Sequence, residues 1–166
     1  MSSTNKATVS LGKLVKAPFL VPVLHNSTPN CINDPFMVNG QPYKVTALSL
    51  GGIPHGGVLM DDVDSVDVPV LGHALGTHCL FPKGADIVFI QVIDTANVKA
   101  RLWQRDIGET AFTKEAAAIA VIVAYMLQKL HYSNSNVYIA ENTFNVDWNI
   151  VTDDVKITGP ADMIGV

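Results

Sequence analysis

The chain has little of several features that mark specialised protein classes. Its two cysteines, Cys31 and Cys79 among 166 residues, are too few for a disulfide scaffold and fit a reducing cytoplasm. Its longest apolar run, 116–127, is shorter than the ~20 residues that cross a bilayer, and its first residues lack the apolar core of a signal peptide. A net charge of −4, with scattered lysines and arginines, provides no basic surface for nucleic acid. We therefore expect a cytoplasmic protein that binds neither membranes nor nucleic acid.

What the chain does have is enough apolar sequence for one folded domain. Hydrophobic residues make up 48% of it and charged residues 16%, and its length suits a single hydrophobic core. Residues 1–7 are polar, and we expect them to be disordered. The domain is predicted to occupy residues 8–166.

The most informative segment joins a predicted strand, 98–104, to an apolar helix through the polar turn 106–112. The helix is predicted from residue 116 to about Leu130, and it has no polar side, so protein must surround it. With strands before and after it, the segment predicts an α+β fold in which a curved sheet wraps around one long apolar central helix. The turn directs backbone N–H groups at the helix start, which favours an anion or carboxylate site there.

Two shorter patterns help to place the strands. Asn39-Gly40 lies between β-prone segments and predicts a tight hairpin. The glycine-rich stretch 51–57 is expected to break the strand that precedes it, and residues 58–60 are expected to resume that strand.

Several motifs in order resemble diaminopimelate epimerase. That family's turn reads Glu-Arg-Gly-x-Gly-Glu-Thr-x-Ala-Cys-Gly-Thr-Gly, and the segment 104–116 keeps its frame. Gly52-Ile53-Pro54-His55 resembles the family's Gly-Asn-Pro-His, and 80–92 resembles its Phe-Pro-x-Gly-x-Asn segment. The resemblance covers roughly residues 8–166 and corresponds to the C-terminal half of the family enzyme. It implies a mostly antiparallel, barrel-like sheet around a helix.

The resemblance also implies how a site would be built. The family enzyme has two pseudo-symmetric domains, with the substrate between two helix N-termini and one catalytic cysteine from each domain. A chain with one such domain is expected to pair with itself as a homodimer or with a separate partner domain. The resemblance implies a small substrate that bears a carboxylate, with no cofactor and no metal.

The start of the helix departs from the family pattern. Thr113 stands at the cysteine position; it is predicted to be the helix N-cap, with a catalytic hydroxyl as the alternative by analogy with the proline racemase group. Lys114 and Glu115 stand at positions where the family has small residues. In the family's enzymes these positions face the substrate. Glu115 either complements the positive helix end or replaces the cysteine as an acid–base group, as carboxylates do in the phenazine-biosynthesis isomerases.

The remaining candidates come from two other motifs. Arg105 and Glu109 match family residues, whereas Gln104 replaces a glutamate; they are predicted either to hold a substrate or, for Arg105 and Glu109, to form a surface pair. Asp86 replaces a substrate-binding asparagine. His55 is retained and is predicted to be a general base, with a purely structural histidine as the alternative.

Two hypotheses follow for function. The first, which we favour, is an enzyme of the epimerase–isomerase superfamily with altered chemistry. It would transfer a proton at a carbon next to a carboxylate, or catalyse a double-bond rearrangement, a cyclisation or an elimination. The reaction would take place in a cleft formed by dimerisation. The second is a non-catalytic binding or scaffold domain, or a partner subunit that completes a split epimerase. Ordinary diaminopimelate epimerisation is not expected, because the cysteine is absent.

Overall fold

One sheet forms most of the computed structural model, which describes residues 5–24 and 30–165. Within these residues the strands are β1 (Lys6–Lys13), β2 (Asp34–Val38), β3 (Gln41–Leu50), β4 (Ile53–Leu59), β5 (Asp86–Asp94), β6 (Asn97–Gln104), β7 (Gly108–Thr110), β8 (Asn134–Ile139), β9 (Asn142–Trp148) and β10 (Asp154–Pro160). The helices are α1 (His73–Gly76) and α2 (Lys114–Met126), and a 3₁₀ turn (Val63–Ser65) and a π-helical turn (Val68–Gly72) precede α1. None of these helices is long and apolar enough to span a membrane.

The strand order is β1-β10-β9-β8-β6-β5-β4-β3-β2, and β7 pairs with β6. The pairs β4–β5 and β6–β8 are parallel and the others are antiparallel. This confirms the predicted α+β class and the mostly antiparallel sheet. The predicted barrel-like closure is wrong, because the sheet is open. β2 occupies the outer edge of β3 at Gln41–Val45, and the chain after β1 reaches β3 only through one bridge, Val15 to Ser49.

The apolar helix forms as predicted but is shorter. Nine consecutive residues of α2, Ala116 to Ala124, are buried, and the helix packs against β3, β4, β5, β6, β8, β9 and β10. The predicted long helix is therefore a 13-residue one that ends at Met126. Gln128 adopts a φ of 63° and the N–H of Lys129 bonds to the carbonyl of Ala124, a left-handed closure that stops the helix.

The sheet carries a hydrophobic cluster on each face. Val88 and Ile90 of β5 pack in the cluster around α2, whereas Ile87 and Phe89 pack in a second cluster on the other face. Successive side chains of a strand point to opposite faces, so the unbroken apolar run of β5 reflects burial on both sides.

Three boundaries test the predictions in detail. The predicted hairpin is confirmed, since Asn39 and Gly40 have φ values of 50° and 79°, as a type I′ turn requires. The predicted disorder of residues 1–7 is wrong for Lys6 and Ala7, because both belong to β1. Residues 1–4 lie outside the described residues. The interruption at 51–57 is also wrong, because β4 runs from Ile53 to Leu59 and only Gly51 and Gly52 form the turn.

Candidate functional site

The predicted site residues come together around the start of α2. Thr113 precedes the helix, and Lys114 and Glu115 occupy its first turn. The turn between β3 and β4 lies against Glu115, because a Cβ atom on Gly51 would be 3.1 Å from Glu115 Cγ and 3.3 Å from its Oε2. A side chain at Gly51 would shift the carboxylate by a few tenths of an ångström, and the φ of 64° there also favours glycine.

A buried imidazole and a buried carboxylate lie on the sheet near this helix end. His55 and Asp86 are register partners on the parallel strands β4 and β5, and their exposed fractions are 0% and 2%. Nδ1 of His55 lies 2.8 Å from the carbonyl oxygen of Ile53. Because a carbonyl only accepts, Nδ1 carries the proton, and Nε2 of the neutral ring is an acceptor.

The free nitrogen of this ring points toward the carboxylate without bonding to it. His55 Nε2 lies 3.8 Å from Asp86 Oδ2 and has no hydrogen-bond partner among the described residues. At this distance the two atoms form no hydrogen bond. The arrangement therefore holds a basic nitrogen in a buried, unsatisfied state, which is uncommon in folded proteins.

Burial lowers the pKa of His55 below its ordinary value, because the charged ring loses its hydration. The negative charge of Asp86 opposes this effect, and that of Glu115 opposes it further, while Arg105 adds to it. All three side chains thus lie within electrostatic range of the ring. At neutral pH the ring is uncharged and its Nε2 can accept a proton.

The predicted N-cap is confirmed. The Thr113 hydroxyl oxygen accepts a hydrogen bond from the N–H of Ala116 at 3.0 Å, with extended backbone at Thr113, as helix N-caps require. The hydroxyl proton remains available as a donor. The ammonium of Lys114 extends toward the C-terminal segment, since a Cβ atom on Gly165 would lie 3.7 Å from its Nζ.

Arg105 connects the sheet to the loop before β5. Its backbone N–H donates to Asp86 Oδ1 at 2.9 Å, and its guanidinium donates to the carbonyl of Lys83 at 3.0 Å. Its other N–H groups can still bind a carboxylate. Gln104 is engaged locally, because its side-chain oxygen accepts from the Thr110 hydroxyl at 2.9 Å.

Glu109 does not pair with Arg105, so the predicted surface pair is wrong. Glu109 Oε2 accepts from Nε and the second guanidinium nitrogen of Arg101, at 3.1 Å and 2.7 Å. Glu109 stands opposite Trp103 in the register of β6 and β7. Arg101, two residues before Trp103 on the same side of β6, is therefore a diagonal neighbour of Glu109. The carbonyls of Val63 and Val66 fix that guanidinium, so the glutamate belongs to the structure of the turn.

A cavity of about 560 Å³ opens beside this cluster. Lys13, Lys83 and Arg105 line it, together with Ser49 and with no carboxylate among the described lining residues. Lys13 is held by Asp154 at 3.1 Å, which leaves the charges of Lys83 and Arg105 for an anion. Lys83 and Ser49 are not among the site residues predicted from the sequence, and only the position of Lys83 within the Phe-Pro-x-Gly motif offered a signal.

The described residues offer no candidate metal site. In residues 5–24 and 30–165, no group of three His, Cys, Asp or Glu side chains could hold a metal ion; His25 lies outside the described residues. Cys31 is buried and Cys79 exposed. Burial raises the pKa of the Cys31 thiol to about 12, which makes it a poor nucleophile.

Comparison with known proteins gives a consistent set of relatives. No family model matches the chain. It is 29% identical to diaminopimelate epimerase of Oceanobacillus iheyensis over 164 residues, which cover 98% of the chain and 57% of that enzyme. It is 33% identical to the enzyme of Desulfovibrio desulfuricans over 160 residues, which cover 93% of the chain and 55% of that enzyme. The chain thus spans about half the length of the curated relatives it matches.

Solved structures agree on the fold. A predicted epimerase from Pseudomonas aeruginosa superimposes with a TM-score of 0.56 and 14% identity, over 96% of this chain and 57% of that one. A probable proline racemase from Agrobacterium radiobacter gives a TM-score of 0.56 and 12% identity, over 93% of this chain and 50% of that one. At these identities the likeness concerns the fold alone.

Proposed function

Because the chain is a diaminopimelate epimerase-like domain, we propose that it catalyses an isomerase-type proton transfer without a cysteine or a cofactor. The substrate is a small molecule with an acidic carbon next to a carboxylate, or with a double bond that is moved, cyclised or formed by elimination. The observation that carries the proposal is the buried, unsatisfied Nε2 of His55 beside Asp86, near the Glu115 carboxylate at the helix start.

In this proposal Glu115 is the group that meets the substrate. It is half-buried, stands in the first turn of α2 and borders the turn at Gly51. Its carboxylate takes the proton from the carbon, and the electrons of the broken C–H bond move into the substrate's carboxylate. The protonated Glu115 then returns the proton, or one exchanged with solvent, to a carbon of the substrate. Arg105 and the N–H groups of the helix start stabilise the negative charge that develops there.

His55 and Asp86 act from behind as positioning residues. Both are buried, so they do not contact a substrate in this arrangement. The neutral ring can hold the proton transiently after Glu115 has taken it from the substrate, and Asp86 favours the charged form of the ring. Thr113 caps the helix, and its hydroxyl proton and the Lys114 ammonium are further donors at the rim of the site.

The proposed cleft needs a second wall, and an apolar surface beside the cavity suggests where it attaches. Phe19 and Leu20 are 90% and 63% exposed, and Leu20 lines the cavity that Arg105 also lines. We propose that this surface meets a second copy of the chain or a separate partner domain. To test contact with a second copy, we compare the native mass of Phe19→Ser with that of Val151→Ser, a change at an equally exposed apolar residue in the β9–β10 loop. We expect a lower mass for Phe19→Ser, and equal masses would contradict contact with a second copy.

Deuterium uptake is the direct test of the chemistry. The purified chain is incubated in D₂O with L-amino acids and 2-hydroxy acids, and loss of the α-proton signal is followed by NMR. We expect Glu115→Gln to abolish exchange, and His55→Asn and Arg105→Gln to reduce it at least tenfold. Glu141→Gln, at an exposed glutamate in the β8–β9 turn, should leave it unchanged. Exchange that survives all three site substitutions would disprove the proposed roles.

A binding or scaffold role is the second candidate, and the Thr113 geometry favours it. The hydroxyl oxygen at the family's cysteine position is used as a helix cap, and Glu115 places negative charge where the family binds an anionic substrate. Under this alternative the domain completes another chain's cleft without reacting itself. Any turnover that depends on Glu115 eliminates it.

A further inference from the structure

A groove at the opposite end of β3 has no role in the proposed chemistry. It has a volume of about 790 Å³ and lies between the β2–β3 hairpin and the segment 60–74. We call it the acidic groove. It lies near Gln41, whereas the candidate site lies near Gly51, so the ten residues of β3, roughly 30 Å of strand, separate the two.

The floor of the acidic groove is apolar and incompletely covered. Val38, Tyr43, Met60, Val66 and Leu71 line it, and all five are partly buried residues that pack against the second hydrophobic cluster. Val70 at its edge is 65% exposed. The cluster is thus open to solvent along this side, and a contiguous apolar surface of this kind marks an interaction site.

The groove also has charge of one sign. Asp61, Asp62 and Asp67 line it, and its described lining residues include no lysine, arginine or histidine. Hydrogen bonds from the Ser65 hydroxyl and the Asp64 N–H lower the pKa of Asp62, so this carboxylate stays charged. Lys99 pairs with Asp64 at 2.6 Å and also acts on Asp62, but it does not line the groove.

We propose that the acidic groove docks a positively charged, amphipathic segment of a partner protein. Its carboxylates come from both ends of the segment 61–67, so several basic side chains can pair with them. Successive lysine or arginine side chains of a polypeptide can meet them while intervening apolar side chains cover the floor. The charge complementarity and the open hydrophobic cluster select the same kind of occupant.

The test uses the whole chain and a labelled 14-residue peptide of lysine and leucine, patterned so that all leucines fall on one side of a helix. Its affinity is measured by fluorescence anisotropy at low salt and at 0.3 M NaCl. Two control peptides replace every leucine by serine or every lysine by glutamate. The protein variants are Val70→Lys in the groove and Val151→Lys at an 88% exposed valine elsewhere.

We expect Val70→Lys to weaken binding of the lysine–leucine peptide at least tenfold and Val151→Lys to leave it unchanged. The double variant Asp61→Asn, Asp67→Asn should also weaken binding of this peptide. The control double variant Asp147→Asn, Asp162→Asn, which removes two exposed carboxylates elsewhere, should not. Amide shifts on binding should fall on Tyr43, Met60 and Leu71. Equal effects of the two valine variants, equal affinity for the lysine–serine peptide, or shifts outside the groove would overturn the proposal. So would a groove that binds benzyltrimethylammonium but not the peptide.

Discussion

Single side chains at the start of α2 show how position decides chemistry. Thr113 stands where the resemblance implies a catalytic cysteine, yet its hydroxyl oxygen accepts a hydrogen bond from the backbone of the helix. His55 has the side chain of a general base, yet the sheet removes it from solvent altogether. Function at this end of the molecule therefore depends on which groups remain free, and Glu115 and Arg105 are the strongest candidates.

The Thr113 hydroxyl should contribute measurably to stability. Thr113→Val keeps the shape of the side chain but removes the acceptor for the Ala116 N–H, so we expect a loss of about 1 kcal/mol in the free energy of unfolding. Thr113→Ser keeps the acceptor and should stay within about 0.5 kcal/mol of the original. Urea denaturation followed by circular dichroism measures both. Equal losses for the two variants would mean that the hydroxyl is not the cap.

His55 should make stability depend on pH. Burial lowers its pKa in the folded chain, while the unfolded chain titrates near ~6.5. As pH falls below that value, the unfolded state binds a proton that the folded state excludes. The free energy of unfolding then falls, by at most about 1.4 kcal/mol per pH unit from this group.

Urea denaturation at pH 7.5, 6.5 and 5.5 checks this dependence. His55→Asn retains a donor for the Ile53 carbonyl and should flatten the decrease below pH 6.5. His131→Asn, at an exposed histidine, is the control and should keep the original slope. A slope that His55→Asn leaves unchanged would place the proton uptake on another group.

At the scale of elements, the contact between β4 and α2 is set by small residues. Gly57 faces the helix, and a Cβ atom there would lie 2.6 Å from one methyl carbon of Val123 and 3.1 Å from the other. Glycine in a strand weakens it unless another element approaches closely. Here the helix does approach, which lets α2 pack directly against the backbone of the strand.

Gly57→Ala should therefore destabilise the chain by about 1–3 kcal/mol through overpacking. Val123→Ala removes the methyl groups that the new Cβ would meet. The double variant should accordingly be less destabilised than the sum of the two single variants, by about 1 kcal/mol or more. Urea unfolding of the three variants and the original forms the cycle. Strict additivity would mean that the two side chains do not meet.

For the whole molecule, one sheet joins two hydrophobic clusters. Trp148 packs in the cluster around α2 and Trp103 packs in the cluster on the other face. β5 contributes alternate side chains to both, so neither cluster can lose its packing without disturbing the shared strand. We therefore regard the domain as a single cooperative unit.

The two tryptophans allow a test of this cooperativity. In Trp103→Phe the remaining fluorophore is Trp148, which reports on the cluster around α2. In Trp148→Phe it is Trp103, which reports on the cluster on the other face. In each variant the urea midpoint by fluorescence should coincide with the midpoint by circular dichroism, as a two-state transition requires. A fluorescence midpoint that precedes the circular dichroism midpoint in one variant would show that its cluster unfolds separately.

Local patterns predicted those parts of the fold that neighbouring residues decide. Asn39-Gly40 specifies its own turn, the apolar run after Glu115 specifies a buried helix, and Thr113 specifies the helix cap. Hydrophobic periodicity and turn chemistry act over a few residues, so they can be read from the chain directly. The closure of the sheet could not be read in this way, because it depends on whether the distant β1 or the neighbouring β2 takes the edge of β3.

The candidate site shows the same difference between what the sequence predicts and what the fold decides. The sequence by itself determined which reactive side chains the chain offers, including His55, Asp86, Arg105 and Glu115, because residue type fixes charge and hydrogen-bonding capacity. Only the tertiary structure decided their partners and exposure: His55 became buried and neutral, and Glu109 went to Arg101. Strand register and packing set the distances between groups that are far apart in the chain, and these distances decide which groups are free to react.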